Sequence, residues 1–172
     1  MGADKAFVVV DGRPMAVIVA DALWEGGCNP VECQGGDVDR LGSELGLVAA
    51  PDPVDDRGPV AGIVAALERH RRPVLTVACD LPRLDAPTVR AVIEAGRRAE
   101  SVAVARADGH DHLVAYWPPD AEATLAGLIA TSSDHDPSLR AALDACAAIR
   151  VDVEPSAVRN VNRPDDIGSS GC

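Results

Sequence analysis

Short apolar segments with the pattern of β-strands alternate with amphipathic helical segments along the whole chain. The clearest helical segment has Val60, Ile63 and Leu67 at i, i+3 and i+7, which places them on one face. The clearest strand is the nearly unbroken apolar run 73–79, a pattern typical of a strand buried on both faces of a parallel sheet. This alternation predicts an α/β protein, a Rossmann-like three-layer α-β-α sandwich around a mostly parallel sheet.

Turn, capping and proline signals divide the pattern into elements. We expect strands at residues 7–10, 31–34, 47–49, 73–79, 102–105, 113–117 and 149–153. We expect helices at residues 14–24, 38–45, 60–67, 86–98, 120–130 and 137–147. Because no linker or repeat interrupts the series, residues 1–167 are predicted to form a single domain, followed by a disordered tail at 168–172.

The charge balance excludes several classes of partner. The chain carries 16 basic and 27 acidic residues, a net charge of −11, whereas nucleic-acid binding depends on Lys and Arg side chains that neutralise phosphates. The same excess of acid disfavours an anionic membrane surface, and no run approaches the ~18 apolar residues of a membrane span. Residues 1–5 lack a signal-peptide pattern, so we expect a cytoplasmic protein that binds neither nucleic acid nor membrane.

Lysine occurs once in the chain, at Lys5, against 15 arginines. A sole lysine in an arginine-rich composition is typical of a position that needs a compact ammonium, as phosphate-binding lysines do; chance placement explains it equally well at this point. The five cysteines have no C-x-x-C spacing. They predict free thiols rather than a disulfide framework or a zinc site.

Asp80 follows the most apolar predicted strand, and ligands of open α/β sheets bind beyond the carboxyl ends of the strands. A carboxylate in that position is costly to desolvate unless it holds a cation or a hydrogen-bond network. Mg²⁺ bound by one or two carboxylates and by substrate phosphates meets this requirement. Asp80 is therefore a candidate magnesium ligand, with capping of the following turn as the alternative.

Two further polar segments are candidates for binding. Gly58 precedes a helix that contains Gly62, and the N-terminal amides of such a helix can face an anion or a base, although an ordinary helix boundary has the same pattern. Near the C-terminus, alternation places Asn160 and Asn162 on one face, where two amides could bind a metal or a phosphate oxygen. An Asx-turn before a short helix also explains this pair.

Several short motifs occur in a recognisable order, at residues 1–6, 10–15, 35–37, 58–62, 78–82, 138–140 and 160–166. In this order they resemble the molybdenum cofactor guanylyltransferases (MobA-like), nucleotidyltransferases with the nucleotide-diphosphosugar-transferase fold. The resemblance spans nearly the whole chain. It implies an Mg²⁺-dependent transfer of GMP from GTP to the phosphate of molybdopterin, with release of pyrophosphate. Molybdoenzyme apoproteins or other proteins of cofactor synthesis are the implied protein partners.

The resemblance implies catalytic and metal-binding roles for three residues. Lys5, in the Gly-x-Asp-Lys motif, would bind the triphosphate. Asp80, in the Cys-Asp-x-Pro motif, would bind Mg²⁺. Asn162, the second Asn of the Asn-x-Asn motif, would lie near the metal and the phosphates.

The resemblance also implies where the nucleoside binds. Gly36, after the second strand, would lie beside the guanine, and the segment from Gly58 to Gly62 would face the nucleotide. An acidic residue ahead of that segment would hold the nucleoside. Asp52 is the first candidate for this role, and the neighbouring carboxylates at 55 and 56 remain alternatives.

One feature of the family pattern is missing at the start of the chain. Members begin with a buried strand and a glycine-rich loop, Leu-Ala-Gly-Gly-x-Ser-x-Arg, directly ahead of Met-Gly-x-Asp-Lys, and this chain begins at Met1, where that loop ends. We therefore expect the first strand of the fold to be missing here and the reading frame to continue upstream. Two alternative functions stay open: a related cytidylyltransferase or other nucleotide transferase, and a truncated, non-catalytic binding module.

Overall fold

The computed structural model describes residues 5–51, 58–132 and 137–161. Their contacts form two compact units. The first unit comprises residues 5–51, 78–90 and 154–161, and the second comprises 58–77, 91–132 and 137–153. The predicted boundary of a single domain at residue 167 lies outside the described residues, as does the predicted tail.

The second unit contains a four-stranded sheet with the order β5-β7-β6-β8. Its strands are β5 (Val74–Val77), β6 (Ala103–Ala107), β7 (His110–Trp117) and β8 (Ile149–Asp152). Strand β7 runs antiparallel to β5 and β6, whereas β8 runs parallel to β6. The α/β class is confirmed, and the sheet is mixed rather than mostly parallel, because a tight turn at Asp108 and Gly109 reverses the chain between β6 and β7.

Helices cover both faces of this sheet. On one face, α3 (Pro59–His70), α5 (Ala121–Thr131) and α6 (Leu139–Ala145) form a core with the strand residues Val104 and Trp117. On the other face, α4 (Ala86–Ala99) brings Gly96 so close to the ring of Tyr116 that a side chain there would overlap it. Successive side chains of β7 point to opposite faces. The second unit therefore has the predicted three layers within itself.

Strand β5 differs from its prediction. The sequence predicts a strand over 73–79 that is buried on both faces and paired in parallel. The structure has a four-residue strand, paired antiparallel with β7, whose residues are all half-buried. Strand β5 stands at the end of the four-stranded sheet and has one neighbour in it, so its second edge is not covered by that sheet.

The first unit contains short strands and two helices, α1 (Met15–Glu25) and α2 (Val38–Leu45). Its strands are β1 (Val9–Val10), β2 (Arg13–Pro14), β3 (Cys33–Gln34) and β4 (Ala49–Ala50). Strands β1 and β2 form a hairpin, and β3 pairs with β4 in parallel. Ala16 and Ala20 of α1 pack with Leu41 and Leu47 in a small core, so this unit depends on small aliphatic side chains.

The predicted strand at 7–10 is confirmed at Val9 and Val10 and is wrong at its first two residues. Residues Lys5–Phe7 form a 3-10 helix, and only Val9 and Val10 are extended. Val8 donates its backbone N–H to the carbonyl of Lys5 at 3.2 Å, and its own carbonyl accepts from Met15 at 2.9 Å. These local bonds turn the chain into α1 instead of along a sheet. Within the described residues, no helix is long and apolar enough to span a membrane.

Candidate active site

Asp80 lies in the turn that follows β5, within the first unit. The residue is buried, with 8% of its surface exposed. Its Oδ2 accepts a hydrogen bond from Nζ of Lys5 at 3.0 Å. Its Oδ1 is also buried, and no hydrogen-bond partner for that atom exists among the described residues. The carboxylate therefore has one oxygen paired with a cation and one oxygen available to a ligand. Within the described part of the chain, the Asp80 side chain makes no hydrogen bond that caps the turn, which was the alternative to metal binding.

Lys5 is the first residue of the 3-10 helix, and its side chain is 45% exposed. The adjacent Ala6 is buried in the small core beside α1, which fixes the backbone from which Lys5 extends. The ammonium is thus anchored at its stem and partly exposed at its head. Lys5 and Asp80 are 75 positions apart in sequence and form an ion pair in the fold, and their roles toward phosphate and Mg²⁺ stay predictions.

The turn that carries Asp80 is held against the rest of the first unit at two places. Val161 donates its backbone N–H to the carbonyl of Asp80 at 2.9 Å, and its side chain packs with Val10 and Met15. Farther along, Val89 contacts Gly26 at the end of α1 so closely that any side chain at Gly26 would overlap it. These contacts set the position of the carboxylate through the backbone on both sides of it.

The bond from Val161 is a feature that sequence reasoning misses. A backbone N–H carries no residue signature, and only the neighbouring Asn-x-Asn motif indicates that this segment matters. Asn160 is exposed, and Asn162 lies outside the described residues. The structure therefore brings the start of the motif to Asp80, while the role of Asn162 stays a prediction.

Gly36 lies in the exposed turn between β3 and α2, in the same unit as Lys5 and Asp80. Its φ of +75° is in the left-handed region that favours glycine. The next residue, Asp37, begins α2 by accepting the backbone N–H of Arg40 at 3.0 Å. The turn is therefore well defined, and its proximity to a guanine stays a prediction.

Gln34 is a second residue that the sequence does not single out. Its Nε2 donates to the carbonyl of Pro51 at 2.5 Å. The preceding carbonyl, that of Ala50, accepts the backbone N–H of Gly35. This side chain holds the last described residue before the acidic segment 52–57. Asp52 and its alternatives at 55 and 56 are themselves outside the described residues.

Gly58 and Gly62 belong to the second unit. Gly58 is the N-cap of α3, and Pro59 takes the first helical position. Gly62 is half-buried in the first turn of the helix. The predicted helix boundary is confirmed. Contact of these glycines with a nucleotide stays a prediction.

Asp80 fits a magnesium ion by its chemistry. Carboxylate oxygens are the hard ligands that Mg²⁺ takes, and one or two of them suffice where substrate phosphates complete the coordination. Across 5–51, 58–132 and 137–161 there is no cluster of three or more His, Cys, Asp or Glu that could hold a metal by itself. A partly available carboxylate beside an ammonium therefore suits a metal that arrives with phosphates.

Comparisons with solved structures define the class of the fold. Molybdopterin-guanine dinucleotide biosynthesis protein A from Archaeoglobus fulgidus aligns with a TM-score of 0.75 at 22% identity, covering 97% of this chain and 88% of that one. The 2-C-methyl-D-erythritol 4-phosphate cytidylyltransferase from Thermus thermophilus aligns with a TM-score of 0.74 at 17% identity, covering 95% and 90%. The fold is that of the nucleotidyltransferases.

Sequence comparison gives the family. Residues 1–150 match the sequence model of the MobA-like NTP transferase domain. A curated relative from Opitutus terrae, named "Probable molybdenum cofactor guanylyltransferase", is 29% identical over 177 aligned positions, covering 96% of this chain and 86% of that protein. The chain belongs to the MobA-like NTP transferase family and is a nucleotidyltransferase enzyme.

Proposed function

We propose that this enzyme transfers GMP from GTP to the terminal phosphate of molybdopterin and so makes the guanine dinucleotide form of the molybdenum cofactor. A phosphate oxygen of molybdopterin forms a bond to the α-phosphorus of GTP, and the bond from that phosphorus to the β-phosphate oxygen breaks, releasing pyrophosphate. The names of the Opitutus terrae relative and the Archaeoglobus fulgidus protein support this choice of substrates.

The observation that carries the proposal is the buried carboxylate of Asp80, paired on one oxygen with the only lysine of the chain. Nucleotidyl transfer needs reactants held in line and a neutralised phosphate charge rather than an activated protein nucleophile. Asp80 would hold Mg²⁺ through its available oxygen, and the bound ion supplies positive charge at the reacting phosphates. Lys5 binds phosphate oxygens through its ammonium, which is partly exposed and can reach them.

The attacking group requires little help from the protein. The phosphate of molybdopterin is already ionised near neutral pH, so no strong general base is needed to prepare it. The proposed site has a lysine and a carboxylate and is consistent with such a reaction. Its specificity for guanine is assigned to the turn that contains Gly36, on the grounds of the family resemblance.

The test is a transfer assay on the purified protein with molybdopterin and Mg²⁺, using GTP and CTP side by side. We expect pyrophosphate and guanine dinucleotide to form in equal amounts with GTP, with a much lower rate with CTP and none in excess chelator. A preference for CTP would replace the guanylyltransferase assignment by a cytidylyltransferase. Nucleotide binding without any transfer would favour a non-catalytic module.

A further inference from the structure

We propose that Lys5 is an internal counter-cation of Asp80, which holds the carboxylate until the nucleotide arrives, so that the divalent ion binds with the nucleotide and not before it. This inference rests on the proposed function of the site. It assigns to Lys5 a role in the empty enzyme in addition to its role toward phosphate, and it predicts an order of binding.

The geometry of the pair carries the first step. Asp80 is buried, and a buried carboxylate without a counter-charge is strongly unfavourable. Nζ of Lys5 lies 3.0 Å from Oδ2 and supplies that charge. A pair of this kind offsets part of the desolvation cost of the carboxylate. In the nucleotide-free protein the ammonium thus supplies, on Oδ2, positive charge that stabilises the buried carboxylate without a metal ion.

Electrostatics carries the second step. A divalent ion on Oδ1 would put a charge of two beside the ammonium on Oδ2, and the single negative charge of Asp80 is smaller than this total positive charge. A like charge within about 4–6 Å changes the affinity of a group for an ion by roughly one order of magnitude or more. Lys5 therefore weakens metal binding by the free protein.

The nucleotide removes the conflict. Its phosphates bring several negative charges, which give the ammonium a new partner and complete the coordination of the metal. The side chain of Lys5 is 45% exposed and carries its charge on a flexible four-carbon stem, so Nζ can leave Oδ2 while the backbone stays in place. By linkage, nucleotide and metal then raise each other's affinity by the same factor.

The test measures the affinity of the nucleotide-free protein for Mn²⁺, a magnesium substitute whose free concentration is read by electron paramagnetic resonance. Lys5→Met keeps the length of the stem and removes the charge, and Lys5→Arg keeps the charge as a matched control. We expect Lys5→Met to bind Mn²⁺ at least about tenfold more tightly than the wild type. Lys5→Arg should stay within about twofold of the wild type, since its charge is retained. Asp80→Asn should lose the binding in either background.

Mn²⁺ affinity in Lys5→Met that is equal to or weaker than that of the wild type overturns the inference, because Lys5 would then orient the carboxylate for the metal instead of competing with it. Lys5→Gln is the second neutral variant, to be used if circular dichroism shows that Lys5→Met is unfolded. Binding of GTP with Mn²⁺ to the wild type is measured in parallel. Its absence would count against the proposed function, whereas its presence together with an unchanged Lys5→Met counts against the counter-cation role alone.

Discussion

The two units of this protein differ in how they are built. The second unit has strands of up to eight residues and a core in which Trp117, Leu125 and Leu143 are fully buried. The first unit has strands of two residues and leaves Trp24 and Val48 largely exposed, yet it contains the Lys5–Asp80 pair. The more extensive packing is therefore found in the second unit, which contains the candidate nucleotide-binding residues Gly58 and Gly62, whereas the candidate catalytic pair lies in the less extensively packed first unit.

The charged groups show the same division. In the second unit, Arg150 lies at the surface between Asp111 and Asp144, at 3.3 Å and 3.0 Å, an arrangement of limited energetic value. In the first unit, Asp80 is buried as a whole residue, and its Oδ1 lacks a hydrogen-bond partner among the described residues. Oδ1 of Asp111 lacks one as well, but that side chain is 22% exposed and lies beside two arginines, Arg106 and Arg150. An incompletely paired buried carboxylate costs stability, and its retention is typical of a ligand-binding position.

The largest expected effect is the loss of stability on changing Trp117 to alanine. Its ring is fully buried in the core of the second unit, and its Nε1 donates to Oγ1 of Thr76 at 2.8 Å. Trp117→Ala should lower the free energy of unfolding by about 3–5 kcal/mol, since truncation leaves a large cavity. Urea denaturation followed by circular dichroism measures this change.

Trp117→Phe is the matched control, because it retains most of the ring and removes the bond to Thr76. Trp117→Phe should lower the free energy of unfolding by about 1 kcal/mol through the lost hydrogen bond, with a further small loss from the smaller ring. The total should be well below the loss for Trp117→Ala. A loss below about 1 kcal/mol for Trp117→Ala itself would mean that stability does not depend on the core of the second unit.

The next largest expected effect is the loss of transfer activity on changing Asp80, in the first unit, to asparagine. Asn has the shape of Asp, so Asp80→Asn should keep the melting temperature within a few degrees of the wild type, because the lost pair with Lys5 is offset by a lower desolvation cost. Transfer should nevertheless fall at least ~100-fold, since the metal ion at the reacting phosphates would lose its ligand. Melting temperature and turnover are to be measured on one preparation.

A lower melting temperature with unchanged turnover per folded molecule would remove Asp80 from the site and would make it a structural residue of the turn. Asp85→Asn, five positions along, is the control for a nearby acidic side chain. Asp85 accepts the backbone N–H of Thr88 at 2.9 Å and caps α4, so its replacement should affect stability slightly and transfer little.

The helices are predicted well from the sequence, and the strands less well. The bounds of α2 and α4 agree with their predictions to within one residue, because capping residues and glycines mark helix ends locally. Strand pairing depends on residues far apart in sequence, and an apolar run has the same pattern whether its neighbour is parallel or antiparallel. The antiparallel pairing of β5 with β7 therefore could not be predicted from local pattern, whereas the turn at Asp108 and Gly109 is a local signal for the hairpin of β6 and β7.

The candidate site also has features that the sequence predicts and features that only the fold shows. Asp80 is predicted by its place after an apolar strand and Lys5 by its uniqueness, while the contact between them needs the fold, since 75 positions separate the two residues. The main-chain bond from Val161 is indicated only indirectly, by the neighbouring Asn-x-Asn motif, and the side-chain bond from Gln34 to Pro51 has no sequence signal. Such contacts depend on backbone position, which no residue type specifies.

The smallest expected effect is a pH dependence of stability that comes from Cys146. Cys146, in the second unit, lines a cavity of about 110 Å³ together with Ser101 and Asp120. Burial raises the pKa of the Cys146 thiol, and the negative charge of Asp120 raises that pKa further. Cys79, in the first unit, is exposed.

Because the pKa of Cys146 is higher in the folded protein than in the unfolded chain, the unfolded chain loses this proton first as the pH rises. The contribution of the thiol to stability is thus fully present below the unfolded pKa of about 8.5 and decreases above it. Cys146→Ser should make the free energy of unfolding fall less steeply between about pH 8 and pH 10 than in the wild type. Cys79→Ser is measured alongside as the variant at an exposed cysteine. The slopes are measured by urea denaturation at each pH. Equal slopes in the wild type and in Cys146→Ser would show that burial does not suppress ionisation of the thiol. The tighter packing assigned to the second unit would then not extend to the cavity that Cys146 lines.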